Sequence, residues 1–186
     1  MNTTSTIGIQ IDAAIHQIAD LIEKHVSRLS AIRLFTFELK LPEDVEDDEN
    51  LIFLSFAGSF RYFLAHYGLL PFCLWLRDQV GNRCRYRCIW FLSDFSSALV
   101  DEFFMAAECV WKKSLGSHKD NGEIRWLQGH SQGQLLANGA KIREGRSDGQ
   151  RVTAIYQSWL IEMQLRAHRV QDQRNALRTF GAVHRY

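Results

Sequence analysis

Arg83, Arg85 and Arg87 alternate through the run Asn82-Arg83-Cys84-Arg85-Tyr86-Arg87-Cys88-Ile89-Trp90-Phe91-Leu92. The run favours a strand, and strand side chains alternate faces, so the three guanidinium groups are expected on one side, about 7 Å apart. Guanidinium is permanently cationic, and its paired donors match two phosphate oxygens. Such a comb suits a phosphate backbone, with Lys40 on an earlier strand as a further contact. The same spacing admits a second role, pairing with the chain's own carboxylates, Glu162 on a late helix or Glu38 on the first strand.

Four further arginines, Arg166, Arg169, Arg174 and Arg178, fall along a predicted C-terminal helix. From Arg166 to Tyr186 there are five Arg against one Asp. That asymmetry makes the segment a candidate for following a nucleic-acid backbone. The opposite charge concentrates at Glu43, Asp44, Glu46, Asp47, Asp48 and Glu49, read as a solvated loop or a docking surface for a basic partner. His118 and His130 lie in predicted loops with no carboxylate patterned beside them, so no metal site is expected there. Cys84 and Cys88 share a strand face but sit about 13 Å apart, too far to chelate one ion. All four cysteines, Cys73, Cys84, Cys88 and Cys109, lie in apolar segments and read as small core residues of a reduced, cytoplasmic protein.

The elements that must hold these groups follow from periodicity. Ile11, Ile15, Ile18, Ile22, Val26 and Leu29 recur at helical spacing, predicting an amphipathic helix over 9–29. Residues 32–41 alternate, with Phe35, Phe37 and Leu39 on one face and Thr36, Glu38 and Lys40 on the other; Pro42 ends the strand. A helix over 51–67 stops at Gly68. Strands over 72–77 and 83–92 form a hairpin around Gly81-Asn82. Ser96 or Ser97 caps a helix running to about Leu115, and Gly116 ends it. Residues 123–127 make a fourth strand, 128–150 read as mostly mobile loop, and 152–168 form a last helix.

The expected fold is therefore α+β: an antiparallel sheet of four to five strands in ferredoxin-like βαββαβ order, helices on one face, plus an N-terminal helix. The expected division is an N-terminal helix over 1–30, a main domain over 31–181 and a basic tail over 182–186. With 186 residues, 46% of them hydrophobic, the chain can bury one real core. Its net charge of +1 selects no partner. The polar, uncharged start suggests no signal peptide, and no window resembles a membrane span, so no membrane partner is expected.

Several short stretches carry a resemblance. Phe37-Glu38-Leu39-Lys40-Leu41-Pro42 resembles a first strand usually written Phe-Asp-Leu-His-Leu-Pro. Arg85-Tyr86-Arg87 before Cys88-Ile89-Trp90-Phe91-Leu92 sits where His-Tyr-His precedes an apolar run. A helix ending in Trp111-Lys112-Lys113-Ser114-Leu115-Gly116 follows. Ser158-Trp159-Leu160-Ile161-Glu162 resembles Ser-Tyr-Leu-Ala-Lys, and Arg178-Thr179-Phe180-Gly181 a closing Arg-x-Phe-Gly. In order and spacing, residues 31–181 resemble the inovirus-type (YagK/YfjJ C-terminal-domain) family of HUH replication initiators. In that family two strand histidines bind a metal that polarises a phosphodiester, and a helix tyrosine attacks it.

This sequence departs at each chemical position. Arg85 and Arg87 replace the histidines and have no lone pair for a metal. Trp159 replaces the tyrosine, and Glu162 replaces a lysine. The resemblance thus implies a pseudo-enzyme with no catalytic residue, no metal and no cofactor. The leading expectation is a non-catalytic nucleic-acid-binding protein of a phage or mobile element. DNA, single- or double-stranded, is its partner, with RNA as an alternative, and Lys40, Arg83, Arg85, Arg87, Arg166, Arg169, Arg174 and Arg178 are its contacts. A second is a protein-interaction scaffold for a host or element-encoded partner. A third is a residual nickase using Tyr156, one turn before Trp159.

Overall fold

The computed structural model describes residues 3–43, 45–80, 83–118, 122–127, 129–131, 134–136, 141–143, 146–170 and 173–184. The elements run α1 (Thr3–Val26), β1 (Ala31–Lys40), α2 (Leu51–His66), β2 (Phe72–Val80), β3 (Arg83–Ser93), α3 (Val100–Leu115), β4 (Glu123–Leu127), β5 (Gly129–Ser131), β6 (Gln134–Leu136), β7 (Lys141–Arg143), α4 (Arg146–Ala167), α5 (Gln173–Leu177) and β8 (Phe180–Val183). The main sheet has the order β4-β1-β3-β2-β8, and β7 also pairs with β1. Every pairing is antiparallel. The α+β class, the antiparallel sheet and the N-terminal helix are as the sequence predicts.

Three-layer packing is the main departure from the expected architecture. Phe35, Phe37 and Leu39 of β1, with Trp75, Tyr86 and Trp90, meet α2 and α3 on one face. Ile32, Leu34, Leu74, Leu76, Ile89 and Phe91 meet α1 and α4 on the other. Helices therefore cover both faces, not one. The reason is visible in Phe72–Leu76 and Cys88–Leu92, which are apolar at consecutive positions. A strand apolar on both sides must be buried on both sides.

Other differences have similar causes. The segment read as loop contains β5 and β6, which pair with each other, and β7, which pairs with Ala31–Arg33. The β7 pairing is set by a strand more than a hundred residues away, which local composition does not reveal, whereas β5 and β6 pair with near neighbours in sequence. The last long helix starts at Arg146, six residues earlier than its apolar pattern suggests. The basic C-terminal stretch is not one helix: α4 ends at Ala167, α5 is short, and β8 pairs with Cys73–Leu76 at the sheet edge. The Gly81-Asn82 turn lies outside the described residues. Gly68 and Gly116 end α2 and α3 with φ of 73° and 60°, a region in which glycine is the least strained residue.

Candidate functional site

The arginine comb lies on the α1/α4 side of the sheet. Ile89 and Phe91 continue the same face of β3 and are buried, whereas Arg85 and Arg87 extend past the apolar cover. Their neighbours are fixed by register. Asp78 of β2 stands opposite Arg85, and Glu38 of β1 stands opposite Arg87. Glu38 also faces Arg125 of β4, and Lys40 faces Glu123. One end of this sheet face is thus polar by parity, while the rest is core.

These charges close on one another. Arg85 Nη1 donates to Glu38 Oε2 at 3.2 Å, and its Nε lies 3.6 Å from Asp78 Oδ2. Arg87 Nε lies 3.5 Å from the same Asp78 oxygen, and its Nη2 donates to Glu162. Arg166 binds Glu162 at 2.7 Å, one turn away on α4, and reaches Asp78 as well. Lys40 Nζ binds Glu123 at 3.0 Å and lies 3.8 Å from Glu38. Four cations therefore face four carboxylates, and Asp78 lies among three guanidinium groups. Glu38 and Asp78 are the least exposed members, at 6% and 14% of their side-chain surface. Burial, then the charge of Arg169, lowers the pKa of Arg166. That is the expected direction for a cation partly removed from water.

Of the eight basic residues singled out in the sequence, Lys40, Arg85, Arg87 and Arg166 share this lattice. Arg83 lies beside it but is exposed and binds Glu43 at 2.8 Å. Arg178 is elsewhere, bound to Glu49. Arg169 is exposed just beyond α4. Arg174 is on α5, and its side chain lies outside the described residues. Asp78 is the residue that sequence reasoning missed. A two-residue turn at Gly81-Asn82 already implies Val80 opposite Arg83, and hence Asp78 opposite Arg85.

The acidic segment is also answered from within the chain. Asp47 is 4% exposed and accepts from the amides of Ile52 and Phe53, closing the first turn of α2. It also accepts from the Tyr86 hydroxyl at 2.8 Å. Burial, with Cys84 and Asp47 nearby, pushes that hydroxyl's pKa far above its usual range, so it remains a donor. Asp48 lies 3.6 Å from Arg77. Glu43, Glu46, Asp48 and Glu49 are exposed, as a solvated loop requires, and three of them pair with Arg83, Arg77 and Arg178 of the same chain; only Asp47 departs from that reading by being buried, and Asp44 lies outside the described residues.

The strand and last helix meet at the positions that carry the resemblance. The Arg87 guanidinium lies 5.8 Å over the Trp159 ring. Tyr156 is 8% exposed and packs in the α1/α4 core. Among the described residues, no group of three or more His, Cys, Asp and Glu side chains is placed to hold a metal. Cys73, Cys84 and Cys88 are buried thiols, but Cys109 is exposed, contrary to its reading as core.

No family model matches this chain, and no curated protein matches it. Among solved structures, it is similar to a candidate amidohydrolase/peptidase from Burkholderia cenocepacia at 11% identity and a TM-score of 0.38, covering 70% of this chain and 34% of that one. A hydantoinase/carbamoylase family amidase from Burkholderia ambifaria gives 10% identity and 0.36, covering 69% and 33%. A VAO-type flavoprotein from Myceliophthora thermophila gives 14% and 0.31, covering 66% and 20%. The chain thus spans about a third or less of each, and likenesses this slight carry no argument about activity.

Proposed function

We propose that this chain is a non-catalytic, initiator-like protein of a phage or mobile element that works as a protein-interaction scaffold through the outer face of α2. The observation that carries this is α2 itself. It contains no Asp, Glu or Lys, yet Leu51, Leu54 and Tyr62 are 67%, 44% and 77% exposed. Large apolar side chains clustered on an exposed helix face are a common mark of an interaction surface. Ser55, Gly58 and Ser59 lie between the large residues, and a Cβ on Gly58 would meet nothing within 4 Å. Small residues among exposed apolar ones would let the apolar ridge of a partner protein's amphipathic helix approach closely.

The arginine lattice supports the non-catalytic part of the reading. Its resident guanidinium groups neutralise Glu38, Asp78 and Glu162 where the related chemistry needs a metal. A buried Tyr156 is poorly placed as a nucleophile. Cytoplasmic placement belongs to the same proposal, resting on four free cysteines; no helix among the described residues is long and apolar enough to cross a membrane.

The test is nuclease-treated purification of wild type and of Leu54→Asp/Tyr62→Asp. The expected result is an equimolar protein partner, lost in the variant, that re-forms the complex when both components are pure. Retention by the variant overturns the α2 assignment. A dimer seen by light scattering and dissolved by the same variant would assign the face to self-association instead.

Nucleic-acid binding is the second reading, favoured by one observation. Arg125 and Arg169 are exposed and form no ion pair among the described residues. Binding of single- or double-stranded DNA, or RNA, that weakens with salt and fails in Arg125→Ala/Arg169→Ala would establish it. Absence of salt-dependent binding ends it.

A further inference from the structure

A second concavity lies at the opposite end of the sheet from the arginine lattice, between the C-terminal turn of α1 and the start of β2. It is an open cavity of about 240 Å³, just below the range of drug-sized sites, so a ligand would seat one ring system in it and leave the rest in solvent. Its floor and walls are Leu21, Leu70, Pro71 and Phe72, and its polar lining comprises Lys24, His25, Arg28 and His184.

Three features of this lining bear on a ligand. Lys24 and Arg28 are exposed and form no ion pair among the described residues, unlike the paired arginines of the lattice. The aromatic surface is continuous: His184 stacks on Phe72 with centroids 5.7 Å apart and planes 14° apart, and His25 lies 5.2 Å from the same ring. Finally, Nε2 of His25 is buried and makes no hydrogen bond of good geometry among the described residues, the Phe91 and Leu70 backbones giving the ring only strained partners. The carbonyl end of α1 attracts both cations through the helix dipole, but that accounts for neither the ring platform nor the poorly bonded nitrogen.

Cations beside an aromatic floor select a particular chemistry. The apolar body of a ligand gains by leaving water against Leu70, Pro71 and the stacked rings, while its charge is met by Lys24 and Arg28. We propose that this pocket binds a planar aromatic anion, with 5′-AMP and 1-naphthoate as probes of its nucleotide and carboxylate forms. The proposal is independent of the scaffold reading, because none of these residues belongs to α2.

Isothermal titration with both probes, and with uncharged adenosine, tests it. Either anion should bind at least tenfold more tightly than adenosine, and Lys24→Ala/Arg28→Ala should lose at least tenfold in affinity. Both cations are surface residues, so circular dichroism should be unchanged. Leu70→Trp, at a half-exposed wall position, should block the cavity and abolish binding. Binding of only one probe assigns the anion as phosphate or carboxylate. The proposal is overturned if neither anion binds at millimolar concentration, if adenosine binds equally well, or if both variants bind as wild type does.

Discussion

Arg87 spans the gap between sheet and helix: its guanidinium covers the Trp159 ring at 5.8 Å while its Nη2 binds Glu162, one turn further along α4. A strand cation is thus held by an aromatic face and a carboxylate of the same helix. The stacking adds about 0.5–1 kcal/mol at a partly exposed site. The larger effect is positional. Arg87 and Arg166 both hold Glu162, so α4 is tied to the polar end of β3 as well as to the apolar core.

Removal of Asp78 should expose the cost of that arrangement. Asp78→Ala leaves Arg85, Arg87 and Arg166 facing one another without their shared carboxylate, and stability should fall by about 3 kcal/mol, the scale of breaking a buried pair. Urea denaturation measures this directly. Arg83→Ala removes an exposed pair with Glu43 and should change stability by no more than about 0.5 kcal/mol. Equal effects at the two sites would show that the lattice is no more structural than a surface bridge.

His25 gives a pH dependence with a definite sign. Burial, opposed by backbone groups of Phe91 and Leu70, lowers its pKa from 6.5 to about 4; the charges of Arg28 and His184 add to the lowering. Between those values the unfolded chain binds the proton and the folded chain does not. Stability is therefore full above pH 6.5 and declines as pH falls toward 4, by up to about 3 kcal/mol. Carboxylates titrate in the same range, so the measurement is the difference between wild type and His25→Phe in urea melts. That difference should change with pH between 6.5 and 4 and be flat above 7.

Gly181 is required by space, not by backbone angle. A Cβ there would lie 2.7 Å from Cζ2 of Trp75, a buried ring with no room to withdraw. Gly181→Ala should cost about 1–3 kcal/mol through overpacking, read as a lower thermal midpoint. Trp75→Phe should relieve part of that penalty in the double variant. The Arg178-Thr179-Phe180-Gly181 motif is thereby explained as folding chemistry: Arg178 binds Glu49, Phe180 is buried, and Gly181 admits Trp75.

Cys109 should be the one fast thiol. Reaction of native protein with a thiol reagent should modify one of the four cysteines at once, and Cys73, Cys84 and Cys88 only on unfolding. Cys109→Ser should abolish the fast phase.

Parity made much of this fold legible. The faces of Phe35, Phe37, Tyr86 and Trp90, the stops at Gly68 and Gly116, and the span of β4 all follow from local pattern. What was illegible depends on partners remote in sequence. β7 exists because Ala31–Arg33 needs a neighbour, and Asp47 is buried because Tyr86 and the start of α2 need an acceptor. Cys109 was misplaced for a simpler reason. It lies two residues from buried Ala107, about 200° around the helix, so an apolar neighbourhood in sequence says little about its exposure. For the candidate site, the comb and its pairing with Glu38 and Glu162 were foreseeable; the role of Asp78 was available from the hairpin register but hidden behind the more conspicuous arginines.

The two-sided cover of the sheet has a further consequence for its central strand. β3 is bonded along both edges, to β1 and β2, as far as Phe91, and Ile89–Phe91 are shielded by helices above and below. Their amide hydrogens can meet solvent deuterium only when the whole domain opens. Exchange at these three positions is therefore a clock for global unfolding, slow and mutually synchronous, while the outer strands keep faster local time.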